Sequence, residues 1–204
     1  MLYLDYDYEG PSPNALFRRG KRVTASPESI INDIESLPGR SVIHGHFQAK
    51  KYAGRFPNAA YVTWLRDPVE RIVSHYLYWQ RSRIPGEPQW EQFTAQQTSL
   101  EQFAQLKFVR NLQQAYLIPL GVEQFDFIGI TEEYDRSLEL FRRLFCPEAQ
   151  FDATARNENP NRQGKFYDLD PELRKKILQS NERDASIYLD GVRRFHQLCE
   201  QMGI

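Results

Sequence analysis

Five residues that read as a strand, Tyr61, Val62, Thr63, Trp64 and Leu65, run straight into Arg66, Asp67 and Pro68, and this junction constrains the fold more than any other stretch. β-Branched and aromatic residues in so short a run suit a buried strand. Asp67 can cap a following helix, Pro68 suits its first position, and Glu70 falls at the third, where it can close a capping box. Val69, Ile72, Val73 and Tyr76 then recur at helical spacing, while Arg71, Ser74, His75 and Tyr78 take the other side. A strand that ends in arginine and feeds a capped helix offers a guanidinium and amide donors at one point. Such a junction reads as an anion site.

Composition narrows the function classes. The 204 residues, 41% hydrophobic and 13% aromatic, suit a single domain over 1–204 with a sizeable core. A formal charge of −1 argues against a surface built for nucleic acid, so no nucleic-acid partner is expected. The basic clusters Arg18-Arg19-Gly20-Lys21-Arg22, Lys50-Lys51 with Arg55, and Arg81 with Arg83 read as solvated faces. Cys146 and Cys199 form no disulfide framework and no zinc pattern. No apolar run approaches a membrane span, and the opening MLYLDYDYEGPSP is acidic and aromatic rather than signal-like. The expectation is a soluble, cytoplasmic chain.

In chain order, residues 1–25 carry no clear element, and Gly10-Pro11-Ser12-Pro13 breaks any regular structure. Ser26-Pro27-Glu28 opens a helix to about residue 37, with Ile30, Ile31 and Ile34 on one face. Residues 41–43 read as a strand delivering His44, Gly45 and His46 at its end. Residues 85–88 read as a surface loop, 100–104 and 108–117 as short helices, and 125–130 as a strand. A helix with Tyr134, Leu138, Phe141 and Phe145 inward follows, stopped by Cys146-Pro147. Residues 171–199 read as helical, broken near Asn181. Strands alternating with helices predict an α/β sandwich with a mainly parallel sheet, whose ligands sit beyond the carboxyl ends of the strands. His44, His46, Arg66 and Thr131 all fall there.

Two groups of residues carry candidate chemistry. Arg66 and Ser74 are eight positions apart, about two helical turns, and a guanidinium and a hydroxyl can hold one phosphate, with Arg71 assisting. The competing reading pairs Arg66 with a carboxylate and leaves Ser74 an ordinary surface serine. His44 and His46 face the same side if extended, and an imidazole near neutral pKa can take a proton from a hydroxyl nucleophile. Here the competing readings are one packed and one exposed histidine, or a metal site with His75 as third ligand. No G-x-S-x-G elbow for a serine hydrolase occurs.

Arg66-Asp-Pro-Val-Glu-Arg-Ile-Val-Ser74-His-Tyr76 resembles the 3′-phosphate-binding element of sulfotransferases that use 3′-phosphoadenosine 5′-phosphosulfate (PAPS), in the carbohydrate branch related to heparan sulfate 2-O-sulfotransferase. Four further blocks resemble that branch in its order: His44-Gly-His46-Phe47, Arg110-Asn111-Leu-Gln113, Phe127-Ile-Gly129-Ile-Thr131-Glu132 and Asn157-Glu-Asn159-Pro160. Together they span roughly residues 40–195. The resemblance implies a three-layer sandwich like that of P-loop nucleoside triphosphatases, with PAPS as cosubstrate and no metal. It implies that Arg66 and Ser74, with Arg71, hold the donor's 3′-phosphate, and that His46 or His44 acts as general base. The acceptor it implies is a hydroxyl, by branch that of a saccharide. Arg156, Arg162 and Lys165 are further possible contacts.

The sequence departs from the family at one point. The 5′-phosphosulfate loop, a P-K-x-G-x-T-like segment between the first strand and first helix, has no counterpart, and Leu2-Tyr-Leu-Asp-Tyr6 resembles sequence downstream of it. The expectation is therefore a sandwich lacking its first strand and phosphate loop, truncated at the N-terminus relative to the family. Three outcomes remain open: an enzyme whose donor loop is supplied by a longer chain or a rearranged N-terminus, a catalytically inactive nucleotide- or glycan-binding relative, or a polyanion binder using the basic clusters.

Overall fold

The computed structural model describes residues 2–6, 27–36, 41–56, 58–151, 164 and 166–204. Four strands alternate with helices: β1 (Leu2–Tyr6), α1 (Pro27–Ser36), β2 (Val42–His46), β3 (Val62–Leu65), α2 (Pro68–Arg81), α3 (Pro88–Ala95), α4 (Leu100–Ala104), α5 (Leu112–Leu117), β4 (Phe127–Ile130), α6 (Tyr134–Phe145), α7 (Pro171–Ser180) and α8 (Glu182–Met202). The class is mixed α/β and the strands are parallel, as the alternation predicts. They form two separate pairs among the described residues rather than one sheet, β1 with β2 and β3 with β4. The chain divides into two compact units, Met1–Ala59 with Ala115–Leu120, and Ala60–Gln114 with Gly121–Ile204.

In the first unit, β1 forms where the sequence pattern marked no element, and it runs in register with β2 from Leu2 opposite Val42 to Tyr6 opposite His46. β2 extends further than expected, so His44 and His46 lie within the strand and not beyond it. Along β2, exposed Val42, His44 and His46 alternate with half-buried Ile43 and Gly45, the period of an extended chain. Ile30 on α1 is fully buried with Tyr52, and Ile31, Ile34, Ile43, Phe47 and Phe56 pack around them. The isoleucine face read from the sequence is the face that α1 buries.

The second unit has two layers of core. α2 and α4, with residues from α3 and α7, bury Ile72, Val73, Trp79, Phe93, Phe103 and Ile177. α3 occupies a stretch read in part as loop; Pro88 takes its first turn, Phe93 points inward, and Trp90 Nε1 donates to the Trp79 carbonyl at 3.0 Å. All four residues of β4 are buried, packed by α6 and α8. A fully buried Phe such as Phe103 or Phe127 is worth about 2–3 kcal/mol in water-to-core transfer, so these two layers rather than helix propensity set the stability of the unit. Gly191 lets α8 lie close against β3, because a Cβ there would stand 2.4 Å from Leu65 Cδ1. The break between α7 and α8 falls at Asn181, as its position predicts.

Candidate anion site at the end of β3

The site begins with the cap of α2. Asp67 Oδ1 accepts from the Val69 and Glu70 amides at 2.9 and 3.0 Å, as the Asp-Pro junction predicts. The reciprocal half of the box is made differently. Glu70 turns inward, fully buried, where its carboxylate accepts from the Tyr167 amide and pairs with Arg174 at 3.2 Å. The Asp67 amide donates instead to Glu132 Oε1 at 3.1 Å. The first amides of α2 are thus spent on the chain's own carboxylates. The amide donors expected for an external anion are taken, and the guanidinium and hydroxyl remain.

Arg66 is held through its backbone. Its N–H donates to Gln113 Oε1 and its carbonyl accepts from Gln113 Nε2, both at 2.9 Å, so one side-chain amide takes the place of a neighbouring strand. One residue earlier, the Leu65 carbonyl accepts from Thr131 Oγ1 at 2.9 Å. Gln113 lies near the start of α5, and Thr131 and Glu132 follow the end of β4. Three blocks separated in sequence, around residues 66, 113 and 131, therefore meet at one turn.

A buried network fixes α5 in turn. Asp184, fully buried on α8, accepts from the Gln113 and Gln114 amides at 3.2 and 2.9 Å and stands 3.5 Å from Arg71 Nη2. Burial pushes its carboxyl pKa up, against the opposing pull of those amides and of Arg71. Asn111 sits in the left-handed region at φ 50°, a conformation asparagine tolerates better than most residues. Its N–H donates to Asn181 Oδ1 and its own Oδ1 accepts from the Asp184 amide. Nothing local in the sequence marks Asn181 or Asp184 as partners of the Arg110–Gln113 block; the contacts are made across the fold.

The side chains expected to bind differ in what they have left to offer. Arg66 is 20% exposed, its Nε is buried without a hydrogen bond among the described residues, and its nearest carboxylate oxygen, Glu132 Oε1, is 3.9 Å away. Ser74 is half-buried on α2, and its hydroxyl makes no hydrogen bond among the described residues. Arg71 is more committed, because its Nη2 donates to the Val109 carbonyl at 2.7 Å and faces Asp184. Burial lowers the Arg71 pKa, and the neighbouring Arg66 charge lowers it further. Burial first, and then Arg71, push His75 down to about 4, and its ring stands edge-on to Trp79 and Phe103. His75 is a neutral histidine packed against the aromatic core. Among the described residues no three His, Cys, Asp or Glu side chains converge as a metal site.

His44 and His46 lie in the first unit, side by side on the exposed face of β2. Although the residue is exposed, partial desolvation by its neighbours and then the adjacent His44 lower the His46 pKa, and its ring meets Tyr116 edge-on at 6.5 Å. A histidine so shifted is neutral at physiological pH and able to accept a proton. Residues 157–160, together with Arg156, Arg162 and Lys165, lie outside the described residues. No helix among the described residues is long and apolar enough to cross a membrane. No family model, no curated protein and no solved structure matches this chain.

Proposed function

We propose that the chain is a PAPS-dependent sulfotransferase that moves a sulfuryl group to a hydroxyl, by branch that of a saccharide. One observation carries the reading: three blocks of the resemblance, 66–76, 110–113 and 127–132, meet at the backbone of Leu65, Arg66 and Asp67 through Thr131, Gln113 and Glu132. Independent surface motifs have no reason to do so. Two side chains support the 3′-phosphate end of that donor: Arg66, partly exposed and with an Nε that makes no hydrogen bond among the described residues, and Ser74, half-buried on α2. The three-layer sandwich of P-loop type belongs to the same proposal.

When bound, PAPS supplies an activated sulfuryl group on a phosphate leaving group. The chain's own residues do the rest. Arg66 and Ser74 hold the 3′-phosphate and fix the nucleotide's register, with the Arg71 charge behind them. His46, neutral at rest, takes the proton from the acceptor hydroxyl, and His44 is the alternative base.

A second reading asks less of the residues present. The 204 residues contain no glycine-rich loop followed by Lys and Ser or Thr to meet a 5′-phosphosulfate. A nucleotide- or glycan-binding relative without turnover needs only the Arg66 half of the site. Calorimetry with 3′-phosphoadenosine 5′-phosphate tests both readings. Wild type should bind, and Arg66→Ala should weaken binding on the order of 100-fold, the loss of two charge-assisted hydrogen bonds. Folded wild type that gives no heat with this nucleotide sinks both readings. Transfer of labelled sulfate, lost in His46→Ala with nucleotide affinity intact, separates the enzyme from the binding module.

A further inference from the structure

Glu132 is the anomaly of the site. A carboxylate within reach of a guanidinium ordinarily closes to about 2.7–2.9 Å. Glu132 Oε1 stops 3.9 Å short of Arg66 Nε, although Glu132 is almost fully buried and that Nε has no other partner among the described residues. Both of its oxygens are already engaged. Oε1 accepts from the Asp67 amide at 3.1 Å, and Oε2 accepts from the Tyr188 hydroxyl at 3.0 Å. Tyr188 reaches in from α8, an element outside the Arg66 turn.

We propose that Tyr188 and the Asp67 amide hold Glu132 back from Arg66, and that this restraint sets how strongly the site grips an anion. With Glu132 retained, Arg66 is drawn toward the site by a nearby opposite charge, yet its donors remain unspent. Without the hydroxyl of Tyr188, Glu132 is free to close onto Arg66 and compete with any phosphate. The restraint is robust to pH, since burial and the Glu132 charge both push the Tyr188 hydroxyl further above its ordinary value and keep it a donor. This inference deepens the reading of Arg66 as a phosphate-binding residue and rests on it.

The two partners give opposite signs, which a purely structural role would not. Glu132→Gln keeps an acceptor for the Asp67 amide and a group to face Tyr188 but removes the competing charge, so anion affinity should rise several-fold, to about tenfold at low salt. Tyr188→Phe should lower it by a similar factor. In the double variant the restraint has nothing to hold, and affinity should return to the Glu132→Gln level. Titration of the full chain with inorganic phosphate reads this on the Arg66 Nε–H resonance, assigned by its loss in Arg66→Lys. The same titration with 3′-phosphoadenosine 5′-phosphate tests the donor. Weaker or unchanged binding in Glu132→Gln, unchanged binding in Tyr188→Phe, or no phosphate response of Arg66 in wild type overturns the inference. If phosphate gives the expected pattern while the nucleotide does not bind, the restraint stands and the PAPS reading alone fails.

Discussion

β2 and β3 each run parallel to one neighbour, but they treat their candidate functional residues differently. Arg66, just past the end of β3, is bonded through both backbone groups, and the residues on either side are bonded to Thr131 and Glu132. Behind it stand Asp184, Asn111 and Asn181, all within a buried hydrogen-bonded network. On β2, by contrast, His44 and His46 are carried on an exposed face of the strand. A residue that must meet a fixed phosphate gains from being immobilised, since affinity then loses little to ordering. A base that must meet varied hydroxyls gains from standing open. The contrast suits the two roles proposed.

The largest test of that contrast is Asp184→Ala. It removes the acceptor of two α5 amides and strands the buried Arg71 charge, so it should cost about 3–5 kcal/mol in denaturant unfolding. A loss below about 1 kcal/mol would mean the network holds nothing together. Next is acid. His75 has a folded pKa near 4 against the ordinary 6.5, so the unfolded chain takes up the proton first as pH falls. The stability involved is complete above pH 6.5 and lost progressively down to about 4, at most about 3 kcal/mol. His75→Phe should flatten that part of the stability–pH curve, and a curve unchanged in slope would contradict the burial. Gly191→Ala should cost about 1–3 kcal/mol, because its Cβ would meet the buried Leu65 methyl at 2.4 Å; thermal unfolding measures it. The smallest effect belongs to β2. His46→Ala should change stability by less than about 0.5 kcal/mol, as for an exposed position, while abolishing sulfate transfer. A large destabilisation there would give His46 a structural role and weaken the contrast.

What could be read from the sequence was the chemistry that acts over a few residues. Asp67 and Pro68 announce the start of α2, Ile30, Ile31 and Ile34 announce the buried face of α1, and Asn181 announces a helix break. What escaped needs partners far along the chain. Glu70 sits where a capping box expects it, but it turns into the interior, where Arg174 and the Tyr167 amide outcompete the local bond, and Glu132, 65 residues on, caps Asp67 instead. Asp184 carries no local signal because its acceptors' partners lie about 70 residues away. β1 carries no local signal because five residues leave no periodic pattern to read, and its pairing with β2 is itself a long-range event. α3 is hidden in the sequence because Pro88 closes a Pro-Gly-Glu-Pro run that reads as a turn, although a proline is equally at home in a first helical turn.

The side-chain amide of Gln113 has one more consequence, and it concerns time rather than position. Amide protons exchange with solvent when the bond that holds them opens. The protons of Arg66 and Asp67 lie beyond the last residue of β3, where a strand end ordinarily frays, yet each is gripped by a side chain from elsewhere in the fold. Their exchange rates therefore report not on β3 but on how often α5 and the turn after β4 lift away from it. Two adjacent protons form a pair of clocks, one for each arm of the grip, and they can be read without any ligand.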